Sequence, residues 1–292
     1  MNPGMESFYD PCAAAELARG AAAAYGKDQD MTAWAREQGC PGCEVVRDDA
    51  TDTLGFVAAA GERAFVVFRG TRDLRNWITD LDCRRVNAAS ALCADGRAAG
   101  STPQPEVHEG FLRALESVWE RVAEALGRMA AGKRDLFFAG HSLGGALAML
   151  ATARWEELNC QLKIDNLQFP ISAWLYTFGQ PRVGNGAWAR WYDGRLRGRS
   201  FRVVHAQDVV ARMPWLLGRF RHAGTEIFYD ALGRMHQDWP WWAKAPGDAA
   251  GLWREWKRGK IALLGDHHVS TYVEMLLAEC ETETILPRSC PV

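Results

Sequence analysis

Leu136-Phe137-Phe138-Ala139-Gly140-His141-Ser142-Leu143-Gly144-Gly145-Ala146-Leu147-Ala148-Met149-Leu150 reads as a buried strand, a sharp turn and a helix. The turn is a G-x-S-x-G pentapeptide, and strand-turn-helix is the frame that lifts a serine hydroxyl to the tip of a strained elbow. Glycines are required there because the turn brings backbone segments too close for a Cβ. A serine hydroxyl is a poor nucleophile until a base takes its proton and a carboxylate orients that base. In this frame the acid and then the histidine follow downstream. Asp208 follows an apolar strand over 201–205, at a strand C-terminus where open sheets carry their functional loops, and His267 and His268 precede the last helix.

On either side of the elbow, short β-rich runs alternate with longer helical ones. Strands are expected over 53–58, 64–68, 135–139, 172–178, 201–205 and 226–229, and helices over 13–25, 31–37, 109–130, 143–158, 187–196 and 269–278. Phe111, Leu115, Val118, Trp119, Val122, Leu126 and Met129 recur at helical spacing, which makes 109–130 an amphipathic helix lying on a sheet. The alternation predicts an α/β fold with a central mixed, mostly parallel sheet covered by helices on both faces. At 292 residues the chain reads as one domain over 1–292, with a helical segment over 1–45 and a Trp-rich insertion or cap over 233–260. The stretches 87–107 and 233–259 read as loops without a core role.

Seven blocks, in order, carry a family resemblance. They are Val66-Val67-Phe68-Arg69-Gly70-Thr71; Asn76-Trp77; Val107-His108-Glu109-Gly110-Phe111; Gly140 through Gly145; Tyr176-Thr177-Phe178-Gly179-Gln180-Pro181-Arg182-Val183-Gly184-Asn185; Arg202-Val203-Val204 leading to Asp208; and Asp266-His267 with Tyr272. The chain resembles the class 3, fungal-type lipases of the α/β-hydrolase superfamily. That resemblance implies an α/β-hydrolase fold, with Ser142 as nucleophile, Asp208 as orienting acid and His267 as base. His268 stands as the alternative base, because the two histidines are adjacent and only one can face Ser142. The amide of Leu143, after the nucleophile, is one expected oxyanion donor. Thr71 resembles the family's second donor.

Leu74, Trp77, Ile78 and Leu81 share one face of a short amphipathic pattern. By resemblance this is a lid or its hinge, which would cover an apolar acyl pocket in water and turn its oily face onto lipid; the plainer alternative is a helix packed into the core. His108, His141, His205 and His222 read as structural hydrogen-bonding residues. No His, Cys, Asp and Glu cluster at ligand spacing points to a metal, and no phosphate-cradling loop is present, so no cofactor is expected.

The expected function is hydrolysis of lipid carboxylic esters, of the triacylglycerol lipase or esterase kind, through an acyl-enzyme. Alternatives are a phospholipase A-type acyl hydrolase at anionic membranes, acyl transfer to an alcohol, and a non-catalytic binding module on the same fold. With 34 basic and 36 acidic residues the net charge is −2, so nucleic acid is not an expected partner. The charge is unevenly spread. Residues 182–260 hold 15 Lys/Arg, 7 Asp/Glu and eight of the thirteen Trp, a composition suited to peripheral contact with a lipid interface. Packing inside a cap is the competing use of those Trp.

The apolar start is short, Ala-rich and interrupted by Glu16 and Arg19, so neither a leader nor a span is read there, and no other window is long enough to span. The expected location is therefore cytoplasmic, with signal-independent export as the other route. Eight free thiols are expected on that basis. Cys40-Pro41-Gly42-Cys43 is a CxxC, read as a tight turn with buried thiols rather than as a redox or zinc site.

Overall fold

The computed structural model describes residues 9–72, 84–88, 103–164, 171–205, 208, 210–214, 219–239 and 267–285. Helices α1 (Pro11–Ala23) and α2 (Asp28–Glu37) come first, followed by strands β1 (Cys43–Asp48), β2 (Thr53–Ala60) and β3 (Arg63–Phe68). The short strands β4 (Arg85–Asn87) and β5 (Glu106–His108) form a separate ribbon. Beyond it lie α3 (Glu109–Met129), β6 (Asp135–His141), α4 (Leu143–Ile164), β7 (Ser172–Phe178) and α5 (Gly186–Leu196). The chain then forms β8 (Ser200–His205), β9 (Thr225–Tyr229), β10 (Met235–Gln237) and α6 (Val269–Ile285).

The main sheet has eight strands in the order β1-β2-β3-β6-β7-β8-β9-β10. From β3 to β9 the neighbours are parallel, and β1, β2 and β10 add antiparallel edges. Because β3, β6, β7 and β8 run the same way, residues just past Phe68, His141, Phe178 and His205 all emerge at one edge of the sheet. Both faces are covered, as a parallel sheet demands. On one face α3, α4 and α5 bury Phe111, Leu115, Trp119, Leu147, Leu150 and Trp188 against β3, β6 and β7. On the other, α1, α2 and α6 bury Leu17, Trp34 and Tyr272 against Phe56, Phe65, Phe178 and Phe201. Each such large apolar side chain contributes about 1.5–3 kcal/mol through burial.

Three expectations are corrected. The stretch 87–107 has a core role at its ends, where β4 pairs with β5 and Ala88 and Val107 are fully buried; strand β1, which was not foreseen, arises from pairing with β2, since Glu44, Arg47 and Asp48 interrupt any apolar run of its own. The stretch 233–259 does have a core role at its start: β10 pairs with β9, and Trp239 packs against Val204, Ala211 and Phe228. Finally, the thiols are not all free. Cys12 of α1 and Cys280 of α6 form a disulfide with Cα atoms 4.8 Å apart, joining positions 268 residues apart that only the stacking of α1 on α6 brings together. Cys40 is buried and Cys43 half-buried, both as free thiols. Burial and the neighbouring Cys40 push the Cys43 thiol up to about 12, which leaves it a poor nucleophile. The helical pattern expected over Leu74, Trp77, Ile78 and Leu81, and the cap over 240–260, lie outside the described residues.

Candidate active site

Ser142 stands between β6 and α4 with φ 57, a left-handed conformation that non-glycine residues adopt at a cost. The surroundings hold it there. Its amide donates to the Phe178 carbonyl at 2.9 Å, and its own carbonyl accepts from the Gly145 amide at 3.0 Å. A Cβ on Gly140 would lie 2.3 Å from the Gly144 backbone, and one on Gly144 2.3 Å from the Phe68 carbonyl oxygen. These two glycines therefore let the elbow close against β3.

Asp208 has no exposed surface. Its Oδ1 accepts from the amides of Val210 and Ala211 at 2.8 and 3.3 Å, and its Oδ2 accepts from the Tyr272 hydroxyl at 2.5 Å. His267 Nδ1 donates to the same Oδ2 at 2.8 Å. A proton fixed on Nδ1 leaves His267 Nε2 as a lone-pair acceptor. Among the described residues neither Nε2 of His267 nor Oγ of Ser142 has a hydrogen-bond partner, although both atoms are buried. Other buried polar atoms among the described residues share this condition; what sets these two apart is that their residues line one pocket.

Of the two candidate histidines, the structure brings His267 to Asp208. His268 is exposed, and its Nδ1 meets the Ser270 hydroxyl at 2.8 Å. Ser142, His267 and Thr71 line one pocket of about 410 Å³ together with Tyr25, Arg72, His141, His268 and Val269. Leu143 is the first residue of α4, and the amides of a helix's first turn have no acceptor within the helix. Thr71, the other expected donor, lines the same pocket as Ser142. His108 caps α3, accepting from the amides of Gly110 and Phe111, and His222 Nε2 donates to the Ala211 carbonyl at 2.7 Å. Among the described residues no group of His, Cys, Asp and Glu is placed to hold a metal.

Two residues of the site were not foreseen. Gly179, with φ +60, passes so close to the acid and base that a Cβ there would lie 2.5 Å from Asp208 Oδ2 and 2.9 Å from the His267 ring. Its place in the Thr177-Phe178-Gly179-Gln180-Pro181 block, just past a parallel strand, was the available signal. Tyr25, at the end of α1, reaches the pocket from outside every block quoted above and carried no signal at all.

The family model for lipase (class 3) matches residues 65–217, half of the chain. The chain belongs to the class 3 lipase family. The fold is accordingly that of the α/β-hydrolases. Among solved structures, the Rhizomucor miehei triacylglyceride lipase superposes with a TM-score of 0.60 at 26% identity, covering 77% of this chain and 83% of that one. The secreted mono- and diacylglycerol lipase 1 of Fusarium solani is 31% identical over 216 residues, 69% of this chain and 58% of its own length. A phospholipase A1-II 4 of Oryza sativa is 28% identical over 236 residues, 73% of this chain and 55% of its own length. The matched part thus spans little more than half of these curated relatives. A relative secreted from its cell overturns the cytoplasmic expectation, and the Cys12–Cys280 bond, which belongs to oxidising compartments, agrees with that correction. Among the described residues no helix is long and apolar enough to cross a membrane.

Proposed function

We propose that the protein is a serine carboxylic-ester hydrolase acting on lipid esters, working outside the reducing cytoplasm. One observation carries the reading. Ser142 Oγ and His267 Nε2 are buried without partners in a single pocket, while the other nitrogen of the same histidine is tied to Asp208. In this reading Ser142 attacks the ester carbonyl as His267 Nε2 takes its proton, and the Asp208 carboxylate stabilises the imidazolium that forms. The Leu143 amide and Thr71 receive the oxyanion. The imidazolium returns the proton to the departing alcohol. Water activated by the same nitrogen then hydrolyses the acyl-enzyme.

Ser142→Ala should lower hydrolysis of a p-nitrophenyl ester by several orders of magnitude without unfolding the protein. A retained rate would refute the assignment. Acylglycerols are the favoured substrates, because the fungal relatives named above act on them. A phospholipid substrate is the second reading, favoured by the rice phospholipase and by the basic, Trp-rich composition of residues 182–260. Comparing an emulsified acylglycerol with phosphatidylglycerol vesicles decides between them.

A further inference from the structure

His141, the variable residue of the G-x-S-x-G turn, is almost completely buried, and both of its ring nitrogens are engaged. Its Nε2 lies 2.6 Å from the backbone carbonyl oxygen of His267. A carbonyl can only accept, so Nε2 carries the proton. In a neutral ring Nδ1 is then the acceptor, and the Tyr25 hydroxyl donates to it at 2.8 Å. The two states agree with the surroundings. Burial, and after it the nearby His267, holds His141 well below its ordinary range, so the ring stays neutral, and burial holds the Tyr25 phenol well above its own, so it keeps its proton. The His141 and His267 rings stand 4.5 Å apart.

The geometry points to His141, itself held by Tyr25, as a positioning residue that fixes the backbone of His267 and so aims Nε2 of that histidine at Ser142. This rests on the hydrolase reading above. Asp208 restrains the His267 ring at one nitrogen only, which leaves rotation about that contact open; the bond from His141 to the His267 carbonyl supplies the second restraint. It also makes α1 part of the site. Tyr25 and His267 both lie outside residues 65–217, so within that segment His141 is the link that joins them. Displacing a reacting group by about 1 Å is enough to cost on the order of a hundredfold in rate.

Two substitutions separate this role from simple packing. The amide nitrogen of glutamine sits where Nε2 of histidine sits, so His141→Gln keeps the bond to His267 and loses the one to Tyr25. Asparagine reaches only the Nδ1 position, so His141→Asn does the reverse. For a soluble p-nitrophenyl ester, His141→Asn should lower kcat about thirtyfold with KM within about twofold, while His141→Gln should recover most of that loss. Tyr25→Phe, which preserves shape, should fall between them at about fivefold and covers the case in which His141→Asn does not fold. Equal kcat for the Gln and Asn variants, or wild-type kcat in Tyr25→Phe, overturns the proposal. A readout independent of turnover keeps the two readings apart. The low-field proton NMR signal of His267 Nδ1–H should persist in His141→Gln and broaden in His141→Asn. Identical signals in the two variants overturn the positioning role, whereas wild-type protein inert toward every ester, with those signals differing, overturns only the hydrolase reading.

Discussion

A carboxylate with no contact with water survives at Asp208 because four donors converge on it, from Val210, Ala211, Tyr272 and His267. Removing the phenol by Tyr272→Phe deletes a hydrogen bond to a buried charge and should cost about 1.5–3 kcal/mol in a denaturant titration. Gly179→Ala attacks the same carboxylate by collision. Its Cβ would fall 2.5 Å from Oδ2, so we expect kcat/KM to drop by more than about a hundredfold. Gly132→Ala is the control for backbone strain alone, since Gly132 also has a left-handed φ, +74, with nothing within 4 Å of the added carbon. It should cost about 1–2 kcal/mol of stability and leave kcat/KM intact. His141 gives the site a pH signature. Its native pKa is depressed, so below the unfolded value of about 6.5 the unfolded chain binds a proton that the folded one does not. Stability from this residue is complete above that pH and declines as pH falls toward the depressed value, with a slope approaching about 1.4 kcal/mol per pH unit. Urea titrations at several pH values below 6.5 should show a shallower decline for His141→Gln; parallel curves would contradict the assignment of a buried neutral ring.

Among the elements, those that contain their own pattern were legible in the sequence: α3 from its seven apolar positions at helical spacing, and β6 and α4 from the elbow they frame. Elements defined by a partner were not. Strand β1 exists through its register with β2, and β10 through three residues paired with β9. The same division runs through the site. Ser142, Asp208 and His267 could be picked out because motif, chain order and resemblance all mark them, whereas Tyr25 meets His141 across 116 residues and no local spacing encodes that contact. The bond between α1 and α6 is equally nonlocal, and it ties together the helix leading to Tyr25 and the helix carrying Tyr272. Replacing both Cys12 and Cys280 with Ala should lower stability by about 2–5 kcal/mol. Because Cys280 lies about two turns along α6 from Tyr272, kcat at temperatures well below the melting transition should stay within about twofold of wild type; a large loss in the folded variant would show that the bond also sets the geometry around Asp208.

Over the whole molecule, the near balance of charge hides a division. Residues 182–260 carry 15 basic and 7 acidic residues, so the rest of the chain is the acidic part of a molecule whose net charge is −2. The basic stretch includes Asp208 and ends shortly before His267, which places its sequence on both sides of the acid and next to the base. Trp and Lys or Arg together favour the boundary between water and lipid, and a lipid-ester hydrolase has to meet its substrate there. Not all of those Trp are available. Trp188 is fully buried in the core, and Trp239 stacks on His236 with ring centroids 3.9 Å apart while packing on Phe228. Even deleting only residues 233–260 would remove β10 from the sheet edge, so point changes are the sounder test. Replacing Trp241, Trp242, Trp253 and Trp256 together with Ser should weaken co-sedimentation with phosphatidylglycerol vesicles at least tenfold while leaving hydrolysis of a soluble p-nitrophenyl ester within about twofold. Raising the salt concentration should weaken binding of the unaltered protein further if basic residues contribute, since headgroup attraction is screened within about 10 Å at 0.1 M ionic strength. Undiminished vesicle binding by the Trp-replaced protein would assign those side chains to packing within a cap and remove the interfacial reading of the stretch.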